Sequence, residues 1–513
     1  MRTILLWLIS LPLFFLGDNL DGALSGLSGE CTIGVFSGKA TADGRPMLWK
    51  NRDVSRAVQK FCYYEPSRDT DYLYSFIANS YAPDTAKVFM GLNEVGFGII
   101  NSNSYNLGDS LRDGIDDGDL IRMALERCRT IGDFEYLLDA TARKGRKDCW
   151  NIGAIDAEGN AALYECSNYT FVKYDANDTA QTPDGIIIRA TFGLSGTDED
   201  RIGMERYKRA CELAHSKDND YPLDVEFVFR ILTRDLANPI ANPYPLPYNG
   251  RQNRRPPGFI YAQDVTINRE NSQSIMVVRG TRPGGDARLA TLFCSIGQPV
   301  LTVCYPLWVL SGKIPEALYL GDETPMYTLV ARHRTYLYPF IKDPGYLDSR
   351  YLVDSDSSGI YSHTLPLERE VIRRADDLIR EWSVDMPRPD QIAEAQDELA
   401  NYIFDSYSLI PFGKSDDAVP RAKDLPEIAN YPNPFNASTT IQLIGFGRDE
   451  RISVIVFDIL GREVKAINVV SDDNRFAVWD GTDNHNSRAA SGVYLIRAES
   501  SDRSAITKAL LMK

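Results

Sequence analysis

The chain has 513 residues, 43% apolar and 25% charged, an ordinary globular composition with length for two or more domains that each bury a core. Its formal net charge of −15 argues against nucleic acid as a partner, because such binders carry a basic stripe. Past the first few residues no apolar run is long enough to span a bilayer, so no membrane span is expected in the mature chain.

The N-terminus reads as a secretory leader. Arg2 supplies the positive start, and residues 4–16 are an apolar run of signal-peptide length. Residues 17–29 are small and polar, with Ala23-Leu24-Ser25 as one exit for signal peptidase. Residues 1–30 are therefore expected to be a leader and a short pro-segment, leaving a second cut before Cys31. A lipoprotein cysteine fits poorly, since Glu30 stands where a small residue belongs. A cut between Glu30 and Cys31 would put a thiol and a free α-amine on one residue. The amine titrates near ~7.7–8.0 and the thiol near ~8.5, so the amine can act as the thiol's base without a histidine.

From Cys31 to Asp53 the pattern is a hairpin about the turn Ala42-Asp43-Gly44-Arg45-Pro46. A second hairpin joins 88–92 to 96–101, and a third joins 151–156 to 161–166 about Ala157-Glu158-Gly159-Asn160. Apolar residues at helical spacing predict helices over 119–129, 134–144, 200–215 and 223–236. A strand is expected at 185–191, and residues 238–257, rich in proline and asparagine, read as a long loop. Strands resume at 265–268 and 274–279, followed by amphipathic helices over 367–382 and 391–404. Hairpins with helices between them predict an α+β fold of layered sheets covered by helices.

Beyond about Pro411 the character changes. Residues 413–427 are polar and contain proline, as a linker does. Short alternating strands follow at 439–443, 452–457, 476–479, 492–498 and 506–512, with turns at Asp458-Ile459-Leu460-Gly461 and Asp480-Gly481. That spacing predicts a small all-β sandwich over 428–513.

Eight cysteines, at 31, 62, 128, 149, 166, 211, 294 and 304, include no CxxC pair and match no zinc pattern. None of the four histidines, His215, His333, His363 and His485, has a motif that would support a Cys-His enzyme. No cofactor or metal is expected.

Two stretches carry family resemblances. Cys31-Thr32-Ile33-Gly34, Lys50-Asn51-Arg52-Asp53, Gly91-Leu92-Asn93-Glu94-Val95-Gly96, Ala154-Ile155-Asp156-Ala157-Glu158-Gly159-Asn160 and Glu205-Arg206-Tyr207 occur in that order. In this the region from Cys31 to about Leu320 resembles the N-terminal-nucleophile (Ntn) amidohydrolases of the choloylglycine hydrolase, penicillin V acylase and isopenicillin-N acyltransferase group. The resemblance implies a four-layer αββα sandwich over 31–412, with Cys31, Asp53, Asn103 and Arg206 as catalytic residues. Lys50 stands where bile-salt hydrolases carry arginine, keeping charge but losing the bidentate fork. Thr191 falls where the family has an asparagine that donates to the oxyanion; Thr191 or Asn168 is the substitute.

Tyr431-Pro432-Asn433-Pro434-Phe435-Asn436, Trp479-Asp480-Gly481 and Ser491-Gly492-Val493-Tyr494 make the tail similar to C-terminal sorting and FlgD-like immunoglobulin-type modules of exported bacterial proteins. That resemblance implies export by a type IX-like route, with the export machinery as partner and a secreted or cell-surface destination. The expected activity is hydrolysis of a linear, non-peptide-bond amide of a small acylated amine or amino acid through a Cys31 thioester. The alternatives are an acyltransferase on the same scaffold and a non-catalytic surface or binding protein.

Overall fold

The computed structural model describes residues 30–512 except 55–57, 67–72, 82–85, 112, 200, 217–221, 238–258, 263–264, 322, 339–344, 354–358, 413–426, 445, 447–450, 459–461, 471–475 and 501–503. The leader before Glu30, the loop expected at 238–257, residues 413–426 of the linker expected at 413–427 and part of the 458–461 turn lie outside the described residues, and Glu427 belongs to a strand rather than to the linker.

In chain order the first strands are β1 Thr32–Phe36, β2 Met47–Asp53, β3 Gln59–Tyr64, β4 Phe76–Tyr81, β5 Met90–Asn93, β6 Gly98–Asn103, β7 Trp150–Ile155, β8 Ala161–Cys166, β9 Phe171–Asp175 and β10 Ile186–Arg189. There follow β11 Phe259–Tyr261, β12 Ser272–Arg279, β13 Thr291–Ile296, β14 Tyr305–Leu307 and β15 Tyr346–Asp348. The helices are α1 Asp117–Arg127, α2 Ile131–Ala142, α3 Met204–His215, α4 Val225–Phe227, α5 Pro325–Leu337, α6 Ser349–Leu352, α7 Tyr361–Trp382 and α8 Pro389–Ser408.

Two antiparallel sheets stack face to face. One has the order β10-β1-β2-β12-β13-β14, the other β3-β4-β5-β6-β7-β8-β9. The central strands, β1, β2, β7, β8 and β12, are buried along their whole length, because each sheet is covered on both faces, whereas the edge strand β9 is partly exposed. Glycine sets the spacing between them: a Cβ on Gly153 of β7 would lie 2.7 Å from Val35 Cγ2 of β1. On the outer face of the seven-stranded sheet, Leu120, Ile121 and Leu125 of α1 and Phe134 and Leu138 of α2 pack with Ile99, Ile152 and Tyr164. On the outer face of the other sheet, α7 and α8 join its core through Trp382 and Ile403, Trp382 meeting Trp308 edge-on at 4.8 Å. The layers run helix, sheet, sheet, helix, as expected.

The tail is a separate pair of antiparallel sheets. Its strands are β16 Glu427–Tyr431, β17 Thr439–Ile444, β18 Arg451–Asp458, β19 Glu463–Val470, β20 Phe476–Trp479, β21 Gly492–Glu499 and β22 Ser504–Leu511, ordered β16-β17-β20 and β19-β18-β21-β22. Buried residues alternate along β18 and β21, one face of each sheet closing on a core of its own around Trp479. No helix among the described residues is long and apolar enough to cross a membrane.

Several predicted elements need correction. Residues 265–268 are turn and bend rather than a strand, because the Thr266 hydroxyl donates to Asn268 O at 2.6 Å and Asn268 N donates to Asp235 O. Such local bonds compete with a sheet ladder. The helix expected over 223–236 is one turn, α4, running into a π-helical segment, Val228–Leu232. The extra residue there closes with Thr233 N donating to Val228 O at 2.9 Å. The helix expected from 200 begins at Met204, after Gly203 in the left-handed region at φ 84°. Strands β3, β4, β9, β11, β13, β14, β15, β16 and β19 and helices α5 and α6 have no counterpart in the sequence-based reading.

Candidate active site

The site gathers at one end of the six-stranded sheet, where β1 begins between β2 and β10. Thr32 pairs with Asn51, so the same register sets Cys31 beside Arg52 and Glu30 beside Asp53. On the other side Ile33 pairs with Arg189, and two further steps bring Thr191 beside Cys31. Cys31, Lys50, Asp53, Thr191 and Arg206 are buried, and Asn103 is half-buried. None of the eight cysteines, all described, is in a disulfide.

Strand alternation divides the groups between two faces. Lys50 pairs with Ile33 and so shares the face of Cys31, toward the second sheet. There its Nζ donates to Asn101 Oδ1 at 2.6 Å and to Phe89 O at 3.1 Å, and Asn101 Nδ2 donates on to Asp117 Oδ2 at 2.9 Å. Burial pushes the Lys50 ammonium down to about 8, with Cys31 the largest influence in the other direction. Arg52, on the same face, stacks over the Phe89 ring at 3.8 Å.

Asp53 lies on the opposite face. Its Oδ1 accepts from the Ser272 hydroxyl at 2.6 Å, and Ser272 Oγ accepts from Arg269 N at 3.0 Å, across the β2–β12 pairing that sets Ser272 opposite Asp53. Its Oδ2 is buried without a hydrogen-bond partner, 3.9 Å from Arg269 Nη1. Burial lifts this carboxyl to about 6, against the pull of Arg269 and Arg206. Extending the β1–β2 register places Asp53 opposite Glu30, on the face away from the Cys31 thiol.

Arg206, near the start of α3, donates from Nη1 to Glu30 Oε2 at 3.2 Å and from Nη2 to Thr191 Oγ1 at 3.4 Å. Arg269 Nη1 donates to the same Glu30 oxygen at 2.7 Å. Both guanidiniums are buried, with side-chain exposures of 0% and 4%. Neither Arg269 nor Ser272 was singled out from sequence.

Asn103 ends β6, and its Nδ2 donates to the Tyr105 hydroxyl at 3.4 Å. Tyr105 N donates to Thr191 O at 3.1 Å, which ties this segment to the residue beside Cys31. Burial pushes the Tyr105 phenol up, with Glu30 and Cys31 adding to the rise. Tyr105 is a third site residue, after Arg269 and Ser272, that sequence reasoning missed. The two substitute oxyanion donors are otherwise engaged. The Thr191 hydroxyl donates to Ile202 O at 2.7 Å, and Asn168 Nδ2 donates to Asp109 O and Arg146 O at 2.6 and 2.9 Å. Cys31, Lys50, Asp53, Thr191 and Arg206 thus meet around the Glu30–Cys31 bond; Asn103 reaches the group through Tyr105, and Asn168 is held elsewhere.

Residues 429–513 match the family model of the secretion system C-terminal sorting domain, which indicates export to the cell surface or secretion. No curated protein matches the chain. Among solved structures, penicillin V acylase from Agrobacterium tumefaciens is similar at 14% identity and a TM-score of 0.32, over 54% of this chain and 86% of that one. A variant of conjugated bile acid hydrolase from Clostridium perfringens is similar at 11% identity and a TM-score of 0.32, over 52% and 89%. PorZ, a surface component of the type-IX secretion system of Porphyromonas gingivalis, is similar at 24% identity and a TM-score of 0.14, over 17% of this chain and 11% of that one.

Proposed function

We propose that the chain is an exported cysteine amidohydrolase of the N-terminal-nucleophile type, hydrolysing a linear amide of an acylated amine or amino acid through a thioester on Cys31. The observation that carries this reading is the Oδ2 of Asp53, buried without a hydrogen-bond donor where the register sets Asp53 opposite Glu30. A buried carboxylate oxygen without a donor is costly. Cleavage before Cys31 would supply one, an α-ammonium next to the position of Glu30, which the register sets opposite Asp53.

In the mature site the α-amine takes the Cys31 proton and Sγ adds to the amide carbon. The C–N bond then breaks, the α-ammonium returns the proton to the leaving amine, and the acyl group stays on sulfur. Water adds to the thioester, releasing the acid and restoring the thiol. Asp53 fixes the amine, and the Lys50 ammonium, on the thiol's face of the sheet, favours the thiolate. Asn103, through its backbone or its side chain, is the candidate donor to the tetrahedral oxyanion, an interaction worth roughly 10²–10³ in rate. Residues 31–412 form the hydrolase unit in this reading, 413–427 the connection and 428–513 the export module.

Intact mass and N-terminal sequencing of the exported protein test the premise: the mature chain should begin at Cys31. Cys31→Ala should then lose both amide cleavage and labelling by a thiol probe at that position. Turnover unchanged in that variant would refute the reading.

A further inference from the structure

Lys50 is anchored where a ladder of the seven-stranded sheet ends. The β5–β6 pairing stops at Met90 and Ile100, and the buried Lys50 ammonium donates to the next residue on each strand, Phe89 O at 3.1 Å and Asn101 Oδ1 at 2.6 Å. Both acceptors are neutral. Because an ammonium only donates, it fixes which way the Asn101 amide points, with Oδ1 to Lys50 and Nδ2 to Asp117 Oδ2 at 2.9 Å. Asp117 is the first residue of α1, where backbone N–H groups outside the helical ladder favour a negative side chain. Its Oδ1 accepts from Gly118 N at 2.8 Å, which turns Oδ2 toward Asn101.

We propose that Asn101 and Asp117 are positioning residues of the reaction site, acting on the Cys31 thiol through the Lys50 ammonium. The proposal rests on the reading of Cys31 as nucleophile. A lysine bonded directly to a carboxylate would present little net charge to a thiol. Here an amide stands between the two, so neutral oxygens hold the ammonium while the field of the carboxylate reaches it across one side chain. The charged groups around Lys50 are Cys31, Asp117 and Asp53, which favour the ammonium, and Arg52, which opposes it. Asp117 comes from the helix layer and is joined to Lys50 by a continuous run of hydrogen bonds. The flexible four-carbon stem of a lysine needs such an anchor if its charge is to stay in one place.

Two variants separate action through Lys50 from a merely structural role. Asp117→Asn removes the charge and keeps an oxygen for Asn101 Nδ2. Asn101→Asp combined with Asp117→Asn exchanges the two groups and sets the carboxylate on the ammonium. The pH dependence of the urea midpoint reads Lys50 without a substrate: its ammonium is down at about 8, so the unmutated protein should gain stability as pH rises past about 8. That onset should move to about pH 7 in Asp117→Asn and above about pH 9 in the exchange. Should the exchange fail to fold, Asp117→Asn decides alone. The site is read in the Cys31-dependent release of p-nitrophenol from p-nitrophenyl acetate, whose alkaline limb should move in the same directions. An onset that stays near 8 would overturn the proposal, and so would an onset that moves while the limb stays; reaction of Cys31 with iodoacetamide would in either case leave the nucleophile standing. If the unmutated protein neither releases p-nitrophenol through Cys31 nor takes up iodoacetamide there, both readings fall.

Discussion

Burial holds the Asp53 carboxyl at about 6 in the precursor fold, against an ordinary 3.8, so between those values the folded chain keeps a proton that the unfolded chain has released. A raised folded pKa means stability that is fully present below about 3.8 and lost as pH rises through about 6. At order of magnitude the loss is at most about 3 kcal/mol. In a Cys31→Ala background, which keeps Glu30 in place, urea midpoints should fall between about pH 4 and pH 7, and adding Asp53→Asn should flatten that fall. In the proposed function the same carboxylate would be costly before cleavage and useful once an ammonium faced it. Lys50 gives the second titration. Its ammonium is down at about 8 through burial, so the fold gains stability as pH rises from about 8 toward 10.5 while the thiol loses its cation. The alkaline limb of kcat/KM should fall near pH 8, and Lys50→Arg should move it beyond the measurable range, because guanidinium does not titrate there. How much of this was legible in sequence follows from the kind of signal each residue leaves. Cys31 and Asp53 bracket one hairpin, and the pair could be read from local order. Arg269 lies far along the chain in Asn268-Arg269-Glu270-Asn271, which reads as a solvated turn. Only the pairing of Ser272 with Asp53 carries it inward.

At the scale of elements, hairpins with a short turn were visible because both strands and the turn sit in one window. Strands β3 and β4 were not: the 65–75 stretch between them carries scattered charge, and their burial comes from the β5 edge and the helices, which no local pattern records. Layered sheets covered by helices followed from alternating hairpins and helices, and the four-layer order from the family resemblance, whereas the π-helical segment depends on a partner far away. Its extra residue precedes Arg234, which forms a bidentate pair with Glu368 of α7 at 2.6 and 2.8 Å, and Thr233 O accepts from Asn51 Nδ2 of β2 at 3.1 Å. A helix of the outer layer is thereby bolted to the strand that carries Asp53. Glu368→Ala would leave the Arg234 charge buried and uncompensated, a cost of about 3–5 kcal/mol. The urea midpoint should drop accordingly. The interface between the sheets makes a different demand. In Gly153→Ala the new methyl would press on Val35 and Ile100, with β1 displaced or its side chains forced off their rotamers. A cost of about 1–3 kcal/mol is expected. Because β1 carries Cys31, kcat should fall along with stability, and a variant that loses stability without losing rate would show that the strand does not transmit the shift.

The whole molecule joins a buried candidate site to a tail with its own core. Trp479 is central to that tail core: fully buried, it meets Phe435 edge-on at 5.2 Å and Tyr494 at 4.8 Å, and its Nε1 donates to Thr482 O at 2.9 Å. None of these residues belongs to the cores of the two stacked sheets. Truncating an aromatic so placed costs about 3–5 kcal/mol, a large share of what a domain of this size has to lose. If residues 429–513 serve export alone, Trp479→Ala should abolish appearance at the cell surface or in the medium. Protein retained by the cell should still react with a thiol probe at Cys31. Loss of both together would mean that the hydrolase unit needs the tail to fold, and normal export would mean that recognition survives without a packed sandwich. Quantitative labelling of cell and medium fractions separates the three outcomes.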